Sequence, residues 1–299
     1  MNILVTGGTG QVGFELQRTL SAFGAILAPS RQELDLADNQ AVQRYLDEHQ
    51  PDCIVNAAAY TAVDCAESEP DLAHALNAGL PATLAEYAVA NNIWLIHYSS
   101  DYVYPGTGTA PWTEESETIP LSTYGQSKLA GDKAIQASGA KHLIFRTSWV
   151  YSARGNNFMK TMLRLGAEKE TLNIVNDQHG SPTPARLIAQ VTSLALYRVA
   201  QAEQPQQYQG VYHLAPRGTT YWHEFALAIF QAAAGQGAQL KIRAENVHGI
   251  STRDYPTPAA RPLNSRLSLG KLERTFNLQL PEWRGQLQQT LTEYLQARH

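Results

Sequence analysis

The sequence predicts an α/β fold, a doubly wound parallel sheet over roughly the first half of the chain followed by a smaller mixed α/β lobe. Three observations predict it. Short apolar runs alternate with longer amphipathic stretches from residue 1 to about 150. The runs lack polar alternation, as strands covered by helices on both faces do. A glycine-rich turn joins the first run to the first amphipathic stretch.

Taken in order, Ile3–Val5, Ala25–Ala28, Cys53–Ala57, Ile93–Tyr98 and Leu143–Thr147 read as strands, and Gly13–Phe23, Asn39–His49, Pro70–Ala90 and Tyr124–Ser138 have helical spacing and length. The turn after the first strand, Thr6-Gly-Gly-Thr-Gly-Gln-Val-Gly13, places Gly7, Gly10 and Gly13 between strand and helix. There the backbone, including Gln11 and Val12, can approach a pyrophosphate and offer it the free N–H groups of a helix start, the mark of a Rossmann-type dinucleotide site. The second strand ends in Pro29-Ser30-Arg31, with no acid to take the adenosine ribose. Arg31, beside Ser30, suits a 2′-phosphate, which favours NADPH and leaves NADH open; a plain surface charge is the other reading of Arg31. After residue 150 the pattern loosens into loops carrying Pro182 and Pro184, a Gln-rich stretch from Gln201 to Gln209 and a Pro-rich one from Tyr255 to Pro262. Residues 1–150 are expected to form the dinucleotide-binding domain. It reclaims about 170–200 through a strand at Leu172–Val175 and a helix at Ala185–Val199, so residues 151–299 form a discontinuous substrate-binding lobe.

Tyr124-Gly-Gln-Ser-Lys128 puts a phenol and an ammonium one turn apart on one helix face. A phenol is a poor acid–base group at neutral pH, and an adjacent ammonium would lower its pKa towards working range. Upstream, the strand containing Tyr98 runs into Ser99-Ser100-Asp101, at the edge where open α/β sheets bind ligands. Ser100 can hydrogen-bond both a substrate carbonyl and Tyr124. These residues compose a Ser-Tyr-Lys centre for hydride transfer to a ketone.

Composition sets the remaining bounds. With 299 residues, 43% hydrophobic and 17% charged, the chain is of ordinary globular type. Its net charge of −4 and scattered Lys and Arg give no footprint for nucleic acid or an anionic membrane. Cys53 and Cys65 form no CxxC pattern, the histidines show no HExxH spacing, and no apolar run approaches the roughly 18 residues of a membrane span. No export signal opens the sequence, so a reducing, cytoplasmic setting is expected.

Ser99-Ser-Asp-Tyr-Val-Tyr104, Tyr124–Gly131, Arg146–Tyr151, Gly155-Asn-Asn-Phe158, Asn176-Asp-Gln178 and Ala259–Ser265 together resemble the dTDP-4-dehydrorhamnose reductases, within the extended short-chain dehydrogenase superfamily. The resemblance runs nearly end to end and implies reduction of the 4-keto group of dTDP-4-dehydro-β-L-rhamnose. It further implies that Asp35 and Leu36 meet the adenine and that Ala58, Ala59 and Tyr60 lie against the nicotinamide ribose. Asp101, Trp149, Asn156, Asn157, Arg261 and Asn264 become candidates for the nucleotide sugar. Tyr102 stands where related dehydratases carry a glutamate, which argues against elimination. Some relatives dimerise around a magnesium ion held partly by a first-helix glutamate; Glu15 matches that position, but Arg186 stands at the place of a second acid, against a metal-bridged homodimer. Two rivals share these features: an epimerase or reductase for another nucleotide sugar, and a non-catalytic regulatory subunit.

Overall fold

The structure is a computed structural model and describes residues 1–297. The chain opens with β1 (Asn2–Thr6), α1 (Gln11–Leu20), β2 (Ala25–Leu27), α2 (Asn39–His49), β3 (Cys53–Asn56), α3 (Val63–Ala66) and α4 (Pro70–His74). It continues through α5 (Leu80–Ala90), β4 (Trp94–Ser100), α6 (Thr123–Ser138), β5 (Lys141–Thr147), β6 (Val150–Tyr151), α7 (Phe158–Glu168), β7 (Leu172–Val175), β8 (His179–Gly180) and β9 (Thr183–Pro184). The remaining elements are α8 (Ala185–Gln201), β10 (Gly210–His213), β11 (Thr220–Tyr221), α9 (Trp222–Gly235), β12 (Val247–Ile250), α10 (Gly270–Phe276) and α11 (Trp283–Gln296).

Six strands form one all-parallel sheet in the order β10-β5-β4-β3-β1-β2. Because side chains alternate across a strand, Ile3 and Val5 pack with Leu16 and Leu20 of α1, Ile188 and Val191 of α8 and Leu272 of α10 in one layer. Leu4 packs on the opposite side with Ile54, Leu46 of α2, Leu84 of α5 and Ile135 of α6. Each fully buried side chain of this size stabilises the layer by about 1.5–3 kcal/mol. The chain reverses direction across the sheet between β1 and its neighbours β2 and β3, which opens a crevice at their carboxyl ends. A separate core joins Tyr151, Met159 and Met162 to Phe225, Ile229, Trp283, Leu287 and Leu291 from the C-terminal half.

Three elements differ from expectation. The strand at 172–175 exists but pairs with β12 and buries Ile174 in the separate core, while the helix at 185–201 packs on α1. Gly210–His213 adds a sixth strand, in register with Leu143–Arg146. The expected helix over 70–90 is broken by a π turn at Ala75–Gly79, where the Leu80 N–H reaches back to the Ala75 carbonyl. Pro81 has no N–H to give the Asn77 carbonyl, so the regular bond cannot form there.

Candidate active site

A cleft of about 810 Å³, within the usual range for small-molecule sites, runs along the carboxyl edge of the sheet. Gly7, Gly10, Gln11 and Val12 line one end, beside Arg31, Asp35, Leu36 and Ala57–Ala59. Gly7 takes φ +67°, and a Cβ there would lie 2.8 Å from the Ala57 oxygen. Gly10 precedes α1 without any side-chain cap, so the first-turn N–H groups remain available to an anion. Gly13 serves packing instead: a Cβ there would lie 2.1 Å from the Gly7 oxygen.

At the other end, α6 starts from Ser122, whose hydroxyl accepts the Gly125 N–H at 3.2 Å. This start places Tyr124 in the first turn, facing the cleft, and Lys128 one turn on, 2% exposed. Lys128 Nζ donates to the Tyr98 carbonyl at 2.7 Å, and the Tyr98 hydroxyl meets Thr192 at 2.7 Å. Burial brings the Lys128 ammonium down to about 8 while Asp132 pulls it back up. The Ser100 hydroxyl hydrogen-bonds the Tyr124 phenol. It also accepts the Tyr102 N–H and donates to Asp101 Oδ1, each at 3.1 Å. Asp101 is buried and pushed up to about 6 by desolvation.

The Tyr124 pKa departs from expectation. Desolvation pushes it up to about 12 against the opposing bond from Ser100, and Asp101 and Asp132 push it the same way. The Lys128 ammonium is turned to the Tyr98 carbonyl and not to the phenol. In the free chain, burial and the neighbouring carboxylates thus favour the protonated phenol.

Trp149 and Asn156 line the cleft, and Trp149 adopts φ +48°, rare for a bulky side chain. Its ring stacks on Trp222 with centroids 3.7 Å apart and presses on Gly180, where a Cβ would lie 2.8 Å away. The other expected residues are engaged elsewhere. The Ser30 N–H donates to Glu33 at 2.7 Å, and Tyr60 donates to Glu69 at 2.6 Å. Asn157 caps α7 at Lys160 N and donates to Gln11 Oε1 at 2.9 Å, fastening the loop after β6 to the glycine turn. Arg261 pairs with Asp64 at 2.7 Å. Asn264 is 1% exposed and spent on the Thr107 and Ala110 carbonyls and on Arg266, so its amide is turned into the protein. Glu15 faces Arg18 and Arg186 at 4.0 and 3.9 Å, and Arg186 is bonded in turn to Glu293; guanidinium groups, not a second carboxylate, surround it.

Sequence reasoning missed Ser99, Thr147, Ser148 and Trp222, all of which line the cleft. Thr147 ends β5 in register with Ser100, so the strand-end position that pointed to Ser100 marks Thr147 too. Trp222 comes from the first turn of α9 and carried no such signal. Seven side-chain atoms of the described residues are buried without a hydrogen-bond partner, three of them on cleft-lining residues (Ser99 Oγ, Asp101 Oδ2 and Thr147 Oγ1) and one on Arg261 (Nη1).

A family model described as the RmlD substrate binding domain matches residues 1–296. The chain is 49% identical over 297 residues to a dTDP-4-dehydrorhamnose reductase of Salmonella typhimurium, covering 98% of each protein. It is similar to the crystal structure of a dTDP-4-dehydrorhamnose reductase from Clostridium acetobutylicum, with a TM-score of 0.89, 34% identity and 99% and 100% of the two chains covered. The corresponding Bacillus anthracis protein, solved in complex with NADP, matches at a TM-score of 0.86 and 33% identity over 98% of this chain and 99% of that one.

Proposed function

The chain belongs to the dTDP-4-dehydrorhamnose reductase family, and from that premise we propose how its residues perform NADPH-dependent reduction of dTDP-4-dehydro-β-L-rhamnose to dTDP-L-rhamnose, the last step of dTDP-rhamnose synthesis. The observation that carries the reading is the gathering of Ser100, Tyr124 and Lys128 at one end of a cleft whose other end is the glycine turn. The uncapped start of α1 with Gly7, Gly10, Gln11 and Val12 would hold the cofactor's pyrophosphate, Arg31 its 2′-phosphate, Asp35 and Leu36 its adenine, and Ala58, Ala59 and Lys128 its nicotinamide ribose. When bound, NADPH supplies the hydride that goes to C4.

Tyr124 donates its proton to the oxygen at C4 as negative charge develops there. Its high pKa keeps that proton in place at neutral pH. Ser100 hydrogen-bonds the same oxygen, and the buried setting makes a preorganised donor more effective than it would be in water. Lys128 keeps a positive charge beside the reaction. Asp101, Trp149 and Asn156 position the sugar nucleotide. Residues 1–150 with the helix at 185–201, the strand at 210–213 and the helix at 270–276 form the dinucleotide-binding part, and the C-terminal core underlies the substrate-binding lobe.

The test follows NADPH absorbance on addition of enzymatically prepared dTDP-4-dehydro-β-L-rhamnose. The parent chain consumes NADPH and yields dTDP-L-rhamnose, and Tyr124→Phe abolishes turnover while still binding NADPH. Unchanged NADPH with the parent chain, or a fully active Tyr124→Phe, would overturn the reading.

A further inference from the structure

Behind Lys128, three buried polar side chains stand in a row across three adjacent strands. Thr6 on β1, Asn56 on β3 and His97 on β4 are register partners, and none is more than 1% exposed. Lys128 Nζ lies 3.5 Å from His97 Nε2, and His97 Nδ1 lies 3.0 Å from Asn56 Nδ2. Thr6 donates to Asn56 Oδ1 at 2.6 Å and accepts the Ala58 N–H at 3.3 Å. Ala58 belongs to the segment that packs on Gly7, so the row runs from Lys128 to the glycine turn. Apolar side chains could fill this space without desolvating any polar group; a fully bonded row is justified by what it holds.

We propose that His97 is a positioning residue for Lys128: its neutral imidazole accepts a hydrogen bond from the ammonium at Nε2, while Asn56 and Thr6 anchor the ring to the glycine turn. The proposal rests on the reading of Lys128 as part of the chemical centre. For Nε2 to accept, the neutral ring carries its proton on Nδ1 and the Asn56 amide turns over from the orientation that faces Nδ2 to the ring, so that Oδ1 accepts from Nδ1–H and the amide nitrogen donates to Thr6. With the amide as placed, Thr6 donates to Asn56, Asn56 to Nδ1, and Nε2–H points to a neutral Lys128 amine. Each protonation state of Lys128 thus has its own direction of hydrogen bonding along the row. Burial holds the imidazole's own pKa well below its ordinary value, so the ring stays neutral in both.

The other groups facing Lys128 are few. Tyr124 precedes it on α6, and Asp132 follows it, bonded at 3.0 Å to Arg146 of β5. Asp101 lies past the end of β4 beside Ser100. The π turn against α6 presents the uncharged Asn77 amide, bonded to Ser127.

Two readouts on the full chain test the proposal: titration of Lys128 by NMR with ε-13C-lysine, its signal assigned through Lys128→Met, and the pH profile of kcat/KM. A charge-assisted hydrogen bond removed by His97→Leu lowers the Lys128 pKa by on the order of one unit, and the basic limb of the profile moves to lower pH by the same amount. His97→Gln restores an acceptor and returns both towards the parent. Should His97→Leu fail to fold, Asn56→Leu leaves the imidazole but frees its far side, and shifts Lys128 in the same direction by less. A Lys128 titration unchanged in a folded His97→Leu or Asn56→Leu chain, or an equal shift in His97→Leu and His97→Gln, overturns the proposal. A fully active Lys128→Met would instead sink the catalytic reading, while the NMR titration would still decide whether His97 governs Lys128.

Discussion

Gly131→Ala tests whether the contact between α6 and the π turn sets the position of Tyr124 and Lys128. A Cβ on Gly131 would lie 2.1 Å from the Asn77 carbonyl oxygen and 3.4 Å from Pro81 Cγ. The obstacle is backbone, and it is braced: the Asn77 side chain bonds the Tyr60 N–H at 2.9 Å, the Tyr60 carbonyl at 3.1 Å and Ser127 at 3.0 Å. Carbon atoms do not approach closer than 3.0 Å, so α6 must retreat by roughly 1 Å. A shift of that size at catalytic groups lowers kcat by about 100-fold, equivalent to ~2.7 kcal/mol in the barrier. Overpacking also lowers stability by about 1–3 kcal/mol. Gly139→Ala is the control on the same helix. It strains a φ of +80° with nothing within 4 Å, so it weakens the helix end by about 1 kcal/mol and spares kcat. The assay is NADPH consumption at saturating keto sugar, paired with a thermal melt of each variant. A folded Gly131→Ala chain with kcat near the parent's, or equal losses in both variants, would refute the argument that this contact places the Tyr–Lys pair.

Arg146→Met strands the buried Asp132 carboxylate, now bonded at 3.0 Å, and breaks the 2.8 Å bond to Tyr104; urea denaturation should register a loss of about 3–5 kcal/mol, much of it recovered when Asp132→Leu is added. Asp101, raised from 3.8 to about 6, binds its proton more tightly folded than unfolded, so its contribution to stability is full below pH 4 and is lost as pH rises towards 6. Melting temperatures of Asp101→Asn against the parent should therefore diverge in favour of the variant as pH rises from 4 to 7, and a gap independent of pH would contradict the assignment. Arg31→Ala should lower kcat/KM for NADPH about tenfold relative to NADH, the scale of one lost charge-assisted contact. Equal losses with both cofactors would remove Arg31 from the 2′-phosphate site.

Features fixed by local chemistry could be read from the chain. Gly7, Gly10 and Gly13 have few alternative explanations between a strand and a helix. The i, i+4 spacing of Tyr124 and Lys128 put both at the cleft once α6 formed, and Ser100 followed from its strand end. Features decided by distant partners could not be read. Gly210–His213 is a four-residue strand whose place depends on pairing with Leu143–Arg146 and on cover from α10. Asn264 has the same sequence appearance whether it binds a ligand or, as here, loop carbonyls at 107 and 110. Arg261 was equally open, and its pairing through Nη2 with Asp64, almost 200 positions away, could not be read from the chain. The high Tyr124 pKa follows from burial, and a helical repeat reports which residues are neighbours but not how dry they are.

The unpartnered polar atoms at the cleft bear on what the site selects for. Ser99, Asp101 and Thr147 line it, each with a buried oxygen that lacks a hydrogen-bond partner, and such a group costs about 1–3 kcal/mol. Alanine, asparagine or valine would fill these positions at less expense to the fold, so packing gives no reason for them. They flank the Ser100–Tyr124 pair, with Thr147 in register opposite Ser100 and Asp101 next along the chain. Hydroxyl- and carboxyl-bearing residues along this edge suit a ligand rich in hydroxyl groups better than an apolar ketone. Polar residues that orient such a ligand favour a geometry in which its carbonyl meets the reacting groups. On the proposed reading Ser100, Tyr124 and Lys128 carry the ketone reduction, and the polar edge of Ser99, Asp101 and Thr147 suits that centre to a sugar.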